Sequence, residues 1–203
     1  YDEFIKCFPN VSKLAHARTA DVIRAWQGLG YNRRALYLHK AAQIIAREHK
    51  GRVPRDPKVL EQLPGICHYT ARAIVVFVYN EPQVFIETNI RSVFIHHFFP
   101  RRAQIKDAEL LPLIEVTLPT NRLHRGFGVS QWYAALMDYG AYIKTQPTNP
   151  SRKSAHHVRQ KRFKGSEREV RGSIVCVLTA GRASKQKLLQ KLTFTPVRVE
   201  SAM

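Results

Sequence analysis

Apolar residues recur at intervals of three and four along most of this chain. Val22, Ile23 and Trp26 fall on one helical face, as do Leu36, Leu38, Ala42 and Ile45, and further on Leu110, Leu111, Ile114 and Leu118. Such spacing buries one stripe of a helix, and the alternation that marks half-buried strands is sparse. Residues 170–178, Val-Arg-Gly-Ser-Ile-Val-Cys-Val-Leu, are the one stretch arguable as strand, and they are read here as helix. The pattern predicts an all-α protein. Tandem repeats and low-complexity tracts are not evident, and Pro147, Pro150 and Ser151 mark the main linker-like break.

Composition adds a partner to this picture. The 203 residues are 44% hydrophobic, enough for a sizeable core, and carry a formal net charge of +18. An excess of that size is suited to neutralising phosphates and releasing their counterions, which points to nucleic acid. Residues 151–203 hold 13 Lys and Arg against 3 acids, so more than half of the excess sits in the last quarter of the chain. DNA contact is expected for the part from Ser151 to Arg171, and the last 20 residues are open between contact and a solvated tail. No apolar run reaches the ~18 residues of a membrane span, which leaves a soluble protein as the expectation. Cys7, Cys67 and Cys176 are scattered, without a Cys-x-x-Cys pair or a secretory leader, so a reducing intracellular setting, cytoplasm or nucleoid, is expected. Neither His96-His97 nor His156-His157 has the spacing of a zinc site.

The chemistry concentrates in residues 63–93. Leu63-Pro64-Gly65-Ile66-Cys67-His68-Tyr69-Thr70-Ala71 is a Pro-Gly turn feeding an apolar helix, and such a turn can aim main-chain N–H groups at a phosphate. Phe85-Ile86-Glu87-Thr88-Asn89-Ile90-Arg91-Ser92-Val93 follows, with a carboxylate at the start of another helix. Order and spacing together resemble the helix-hairpin-helix DNA glycosylases, whose segments read Leu-Pro-Gly-x-Gly-x-x-Thr-Ala and Val-Asp-x-Asn-x-x-Arg-Val. Residues 26–42, Trp-Gln-Gly-Leu-Gly-Tyr-Asn-Arg-Arg-Ala-Leu-Tyr-Leu-His-Lys-Ala-Ala, and residues 132–141, Trp-Tyr-Ala-Ala-Leu-Met-Asp-Tyr-Gly-Ala, are similar to the MutY-like adenine glycosylase branch. The resemblance runs from about Phe4 to Ile143. It implies a helical lobe over 1–82 carrying the hairpin, a second helical lobe over 83–203 with the basic C-terminal segment, and a DNA cleft between them with Glu87 at the junction.

By the same resemblance, Leu29 and Tyr31, at the Gly28-Leu29-Gly30 turn, are wedging side chains that fill the gap left by an extruded base. A core tyrosine beneath a turn is the alternative for Tyr31. Arg33 and Arg34 become phosphate anchors, and Gly65, Ile66 and Cys67, with His68 and Thr70, the phosphate-binding hairpin, where a monovalent cation could bridge to DNA. Cys67 replaces the family's second glycine, so the turn is expected to be strained. Tyr69 stands where bifunctional relatives carry a Schiff-base lysine; having no amine, it implies base excision by water alone. Glu87 takes the place of the catalytic aspartate, where a carboxylate stabilises the oxocarbenium-like sugar. Asn89 matches the family's asparagine, Arg91 and Ser92 hold the nearby backbone, and Arg91 adds a DNA contact. Glu87 as a simple helix-capping acid remains open.

The family's iron–sulfur ligands, Cys-x6-Cys-x2-Cys-x5-Cys, correspond to Lys144, Ser151, Ser154 and Gln160, none a thiolate, so no cluster and no other metal is expected. The family's general-acid glutamate belongs to a helix placed before Tyr1, and a chain beginning with Tyr suggests that a longer parent has been cut. No room is expected for a further domain that reads oxidised guanine. The resemblance implies a monomeric, monofunctional DNA glycosylase removing adenine opposite guanine or oxidised guanine from mismatched or oxidised duplexes. Thymine removal from G·T pairs, and a DNA-binding protein that has lost its chemistry, stay open beside it.

Overall fold

The computed structural model describes residues 1–119, 128–159 and 162–203. Among them it is helical without a named strand; a lone parallel bridge joins Ile105 to Ser154. The all-α expectation is met, and residues 170–178 lie inside a helix, Glu167–Ala180. No helix among the described residues is long and apolar enough to cross a membrane.

The chain divides into two compact units that are discontinuous in sequence. One comprises Tyr1–Val53, Leu63–Gly65 and Gln160–Met203; the other Pro54–Gln62 and Ile66–Arg159.

In the first unit α1 (Asp2–Cys7), α2 (Val11–Ala15), α3 (Thr19–Ala25) and α4 (Arg33–Glu48) enclose Phe4, Leu14, Val22, Trp26, Ala35 and Ala42. Asn10 starts α2 by accepting a hydrogen bond from the Lys13 amide at 2.9 Å, one of the four amides that a helix start leaves unpaired. The Phe4 ring meets Trp26 edge-on at 5.2 Å, an arrangement that places a positive ring edge on a negative face. The same unit takes in α10 (Glu167–Ala180), α11 (Lys185–Lys191) and α12 (Pro196–Ala202), which bury Val170, Ile174, Leu188 and Val199 together. Arg24 on α3 donates to the Thr179 carbonyl of α10 at 3.2 Å.

The second unit holds α5 (Pro57–Leu60), α6 (His68–Tyr79), α7 (Thr88–Phe98), α8 (Asp107–Thr117) and α9 (Val129–Lys144); the Leu63-Pro64-Gly65 turn that links α5 to α6 in the chain is counted with the first. Helix α7 is the centre of the second unit. Its residues Ile90, Ser92, Val93, Phe94 and Ile95 are all buried, and withdrawing each of the two isoleucines from water contributes about 2–3 kcal/mol before conformational entropy is subtracted. Helix α9 crosses it at Gly140, where a Cβ would collide with the main-chain carbonyl of Asn89. The small residue in the Asp-Tyr-Gly-Ala run is thus dictated by how closely two backbones pass.

Candidate functional site

Glu87 is the N-cap of α7. Its backbone is extended (φ −128°), and Oε1 accepts from the amides of Asn89 at 2.6 Å and Ile90 at 2.9 Å. The positive end of the helix dipole lies against this half-buried carboxylate. The segment leading to it is fixed from the side: Phe85 is buried and stacks on Tyr133 at 4.0 Å with 17° between the rings. The Tyr133 hydroxyl donates to the Gln83 carbonyl at 2.8 Å and accepts from the Phe85 amide at 3.3 Å. Burial pushes its phenol up to about 12, so it stays a neutral donor over the physiological range. Nothing in the sequence marks Tyr133 as the strut beneath Glu87, because the contact links residues some fifty positions apart.

Tyr69, in the first turn of α6, packs edge-on against Phe85 at 5.6 Å. Burial raises its phenol and the negative charge of Glu87 raises it further, so the structure brings together these two residues that the sequence singled out. Asn89 also belongs to this cluster: its side-chain oxygen accepts from Lys144 Nζ at 2.7 Å. Arg91 points elsewhere. Its guanidinium grips Asp107 through two 2.7 Å hydrogen bonds, with only 15% of the side chain exposed. Burial pushes the Asp107 carboxyl up, but Arg91 outweighs it and holds the carboxyl below its ordinary value. Ser92 donates to the Thr88 carbonyl at 2.7 Å and ties the first turn of α7 together.

At the hairpin, Gly65 has φ +77°, and a Cβ there would stand 2.6 Å from the Cβ of Tyr37; both conformation and space demand glycine. Cys67 corrects an expectation. It caps α6 with φ −88° and ψ 170°, extended backbone that any residue adopts, so the cysteine brings no strain to the turn. Its Sγ lies 3.3 Å from the Thr70 hydroxyl, and that bond, joined by the amides of the first turn, pulls the thiol down. His68 and Arg72 both reach Glu61 at 2.9 Å, pinning the end of α5 to the start of α6. Thr70 is thereby committed to Cys67 and His68 to Glu61, while Gly65 is exposed and Ile66 half-buried.

In the first unit, the turn before α4 takes three left-handed residues, Gly28 (φ +84°), Gly30 (φ +72°) and Tyr31 (φ +52°). Trp26 Nε1 donates to the Gly30 carbonyl at 2.9 Å and locks the turn onto the core. Leu29 packs inward on that core, whereas Tyr31 is 64% exposed and is no core residue. Arg33 and Arg34 are exposed beside it, Arg34 over the Trp26 ring at 5.6 Å.

The cluster positions do not fit an iron–sulfur group. Lys144 offers an ammonium already bonded to Asn89; Ser151 donates to Asn149 Oδ1 at 2.7 Å; Ser154 Oγ accepts from the His156 amide at 3.0 Å. Gln160 lies outside the described residues. This loop closes instead through the Ile105 amide to the Lys153 carbonyl, 3.0 Å, and the Ala155 amide to the Ile105 carbonyl, 2.9 Å. Lys144, Ser151 and Ser154 line a cavity of about 380 Å³ that Arg91 also borders. Among the described residues no group of three or more His, Cys, Asp or Glu converges to hold a metal ion.

The sequence pattern of the HhH-GPD superfamily base excision DNA repair proteins matches residues 1–114, a span that contains the Tyr31 turn, the hairpin and the Glu87 cap. The chain belongs to that superfamily. Among similar proteins, the adenine DNA glycosylase of Mycolicibacterium smegmatis is 35% identical over 88% of this chain and 64% of its own length. The adenine DNA glycosylase of Mycobacterium tuberculosis is 45% identical over 46% of this chain and 31% of its own. The chain therefore spans less than two thirds of these curated relatives. Its fold is similar to that of a thermostable thymine-DNA glycosylase, with a TM-score of 0.56 and 22% identity over 74% of this chain and 68% of that one. Endonuclease III in a non-covalent DNA complex aligns at a TM-score of 0.52 and 14% identity, over 70% of this chain and 62% of that one.

Proposed function

We propose that this HhH-GPD chain is the DNA-binding and base-excising part of a monofunctional adenine DNA glycosylase, acting on adenine paired with guanine or oxidised guanine. The observation that carries the reading is the Glu87 carboxylate held on the α7 N-terminus beside Tyr69. In the reaction the C1′–N9 bond breaks, its electron pair leaves with adenine, and positive charge develops on the sugar. Glu87 stabilises that cation and takes the proton of the water that attacks C1′; that proton then passes to the departed base, which leaves neutral adenine, an abasic site and the carboxylate restored. Tyr69 supplies no amine, so the sugar is never held covalently at this position and no strand cleavage follows. Tyr31, exposed on its left-handed turn, fills the space from which the base is drawn. The hairpin amides and Arg33 and Arg34 hold the backbone, and a monovalent cation bridges hairpin and phosphate. The adenine glycosylase relatives support the choice of base.

Glu87 also favours a second reading, a DNA-binding protein without chemistry, because both of its cap bonds satisfy a structural role. Single-turnover excision on duplexes with A·oxidised-G, A·G, T·G and U·G pairs, with alkali to reveal abasic sites, separates the readings. Release from the adenine pairs alone is expected. Release from T·G alone reassigns the base, and no release from any duplex leaves the non-catalytic reading.

A further inference from the structure

We propose that a groove of the first unit, walled by α4 and α10, holds a short stretch of unpaired DNA strand; this rests on the DNA-binding part of the reading above and extends it to the C-terminal segment, beyond the residues matched to the superfamily. The groove encloses about 980 Å³, the upper end of the roughly 300–1,000 Å³ of small-molecule sites. Arg33 and Arg34 line it from α4, Arg168 and Arg171 from α10, and among the described residues no acidic one borders it. The acids of α10 are turned to other work: Glu167 meets Arg198 at 3.2 Å, and Glu169 accepts from the Gly165 amide. Arg171 Nε donates to the Glu167 carbonyl of its own helix at 3.3 Å and Arg34 lies over Trp26, so these side chains are held in place while their charges give the lining a positive potential suited to a polyanion.

The aromatic residues decide which form of DNA fits. Phe163 is 60% exposed and borders the groove together with Tyr31 and Tyr37. Rings left in water beside cations make stacking platforms, and only an unpaired base offers its face to them, since a duplex hides the faces of its bases. Gly172 keeps the space open. A Cβ there would meet nothing within 4 Å, so no packing demand explains a glycine inside α10, where it costs roughly 1 kcal/mol against alanine.

Fluorescence anisotropy of the whole chain with an undamaged oligothymidine of about ten nucleotides, a length within known single-strand site sizes, tests the groove without any excision step. Phe163→Ala and Phe163→Leu should each weaken binding on the order of 5- to 100-fold, and Phe163→Tyr should restore it. Arg168→Ala with Arg171→Ala should lower the salt slope by about 1.4, close to 0.7 for each lost phosphate contact. Binding to the fully paired duplex should change little with Phe163. Unchanged single-strand affinity in both Phe163 variants, or equal losses on single strand and duplex, overturns the proposal. Thermal melts confirm that the variants fold, and a chain that excises nothing yet loses oligothymidine on Phe163→Ala still supports it.

Discussion

On the proposed reading Glu87 does two jobs with one carboxylate, and substitutions at that residue can separate them. Glutamine keeps an oxygen for the Asn89 and Ile90 amides but loses the charge, so Glu87→Gln should leave melting and DNA affinity nearly unchanged while excision falls a hundredfold or more, by roughly the scale of a lost electrostatic catalyst. Single-turnover rates beside thermal melts read the two jobs apart. Because the glutamate already folds back onto the amides that an aspartate cap would reach, Glu87→Asp should match or exceed the natural rate. Tyr31→Ala removes an exposed ring and should reduce flipping of a fluorescent base analogue roughly tenfold with little loss of duplex affinity, since unstacking a step costs a few kcal/mol while phosphate contacts hold the complex. At this scale the sequence was informative where a residue type had one plausible task. The glycine of the Pro64-Gly65 turn could be read directly, and the left-handed turn needed its glycines at 28 and 30. Cys67 was misjudged because its substitution for glycine implied strain, whereas an N-cap backbone is extended and welcomes any side chain. Leu29 and Tyr31 look equivalent in sequence, and only packing shows one turned in and the other out.

Among the elements, the crossing of α9 over α7 brings Gly140 against the Asn89 main chain, two residues from Glu87. Gly140→Ala forces the helices apart and should cost about 1–3 kcal/mol, lowering the melting temperature by several degrees, with a larger proportional loss of excision than of DNA binding. The Arg91–Asp107 pair joins α7 to α8 and gives the fold an acid limit. Folding holds the Asp107 carboxyl below its ordinary value, so the contribution is complete above about pH 4 and is lost as pH falls through the lowered value. Asp107→Asn should destabilise the protein near neutrality and flatten the acid side of its stability curve, measured by denaturant unfolding across pH. Helix type was legible from apolar spacing, including residues 170–178. Which helices meet was not, because a stripe of apolar residues states that a face is buried and not against what. The tie between Tyr133 and Gln83 belongs to that hidden information.

For the molecule as a whole, +18 with no thiolates at the cluster positions predicts DNA binding that needs neither metal nor reductant. Affinity for a mismatched duplex should fall about a thousandfold or more between roughly 50 and 200 mM salt if six or more phosphates are contacted, and the purified protein should show no visible cluster band. The charge was legible at once; the partition of the chain was not, because Tyr1–Val53 and Gln160–Met203 share a unit across a long separation. That partition has a consequence for biosynthesis. The residues of α4 leave the ribosome early, yet the α10 wall of their groove emerges only after the whole of the second unit, a wait on the order of ten seconds at ordinary elongation rates. Through that interval Tyr31 and Arg33 stand on a half-built surface, and a nascent chain halted at Arg159 carries Tyr31 and the hairpin without the groove.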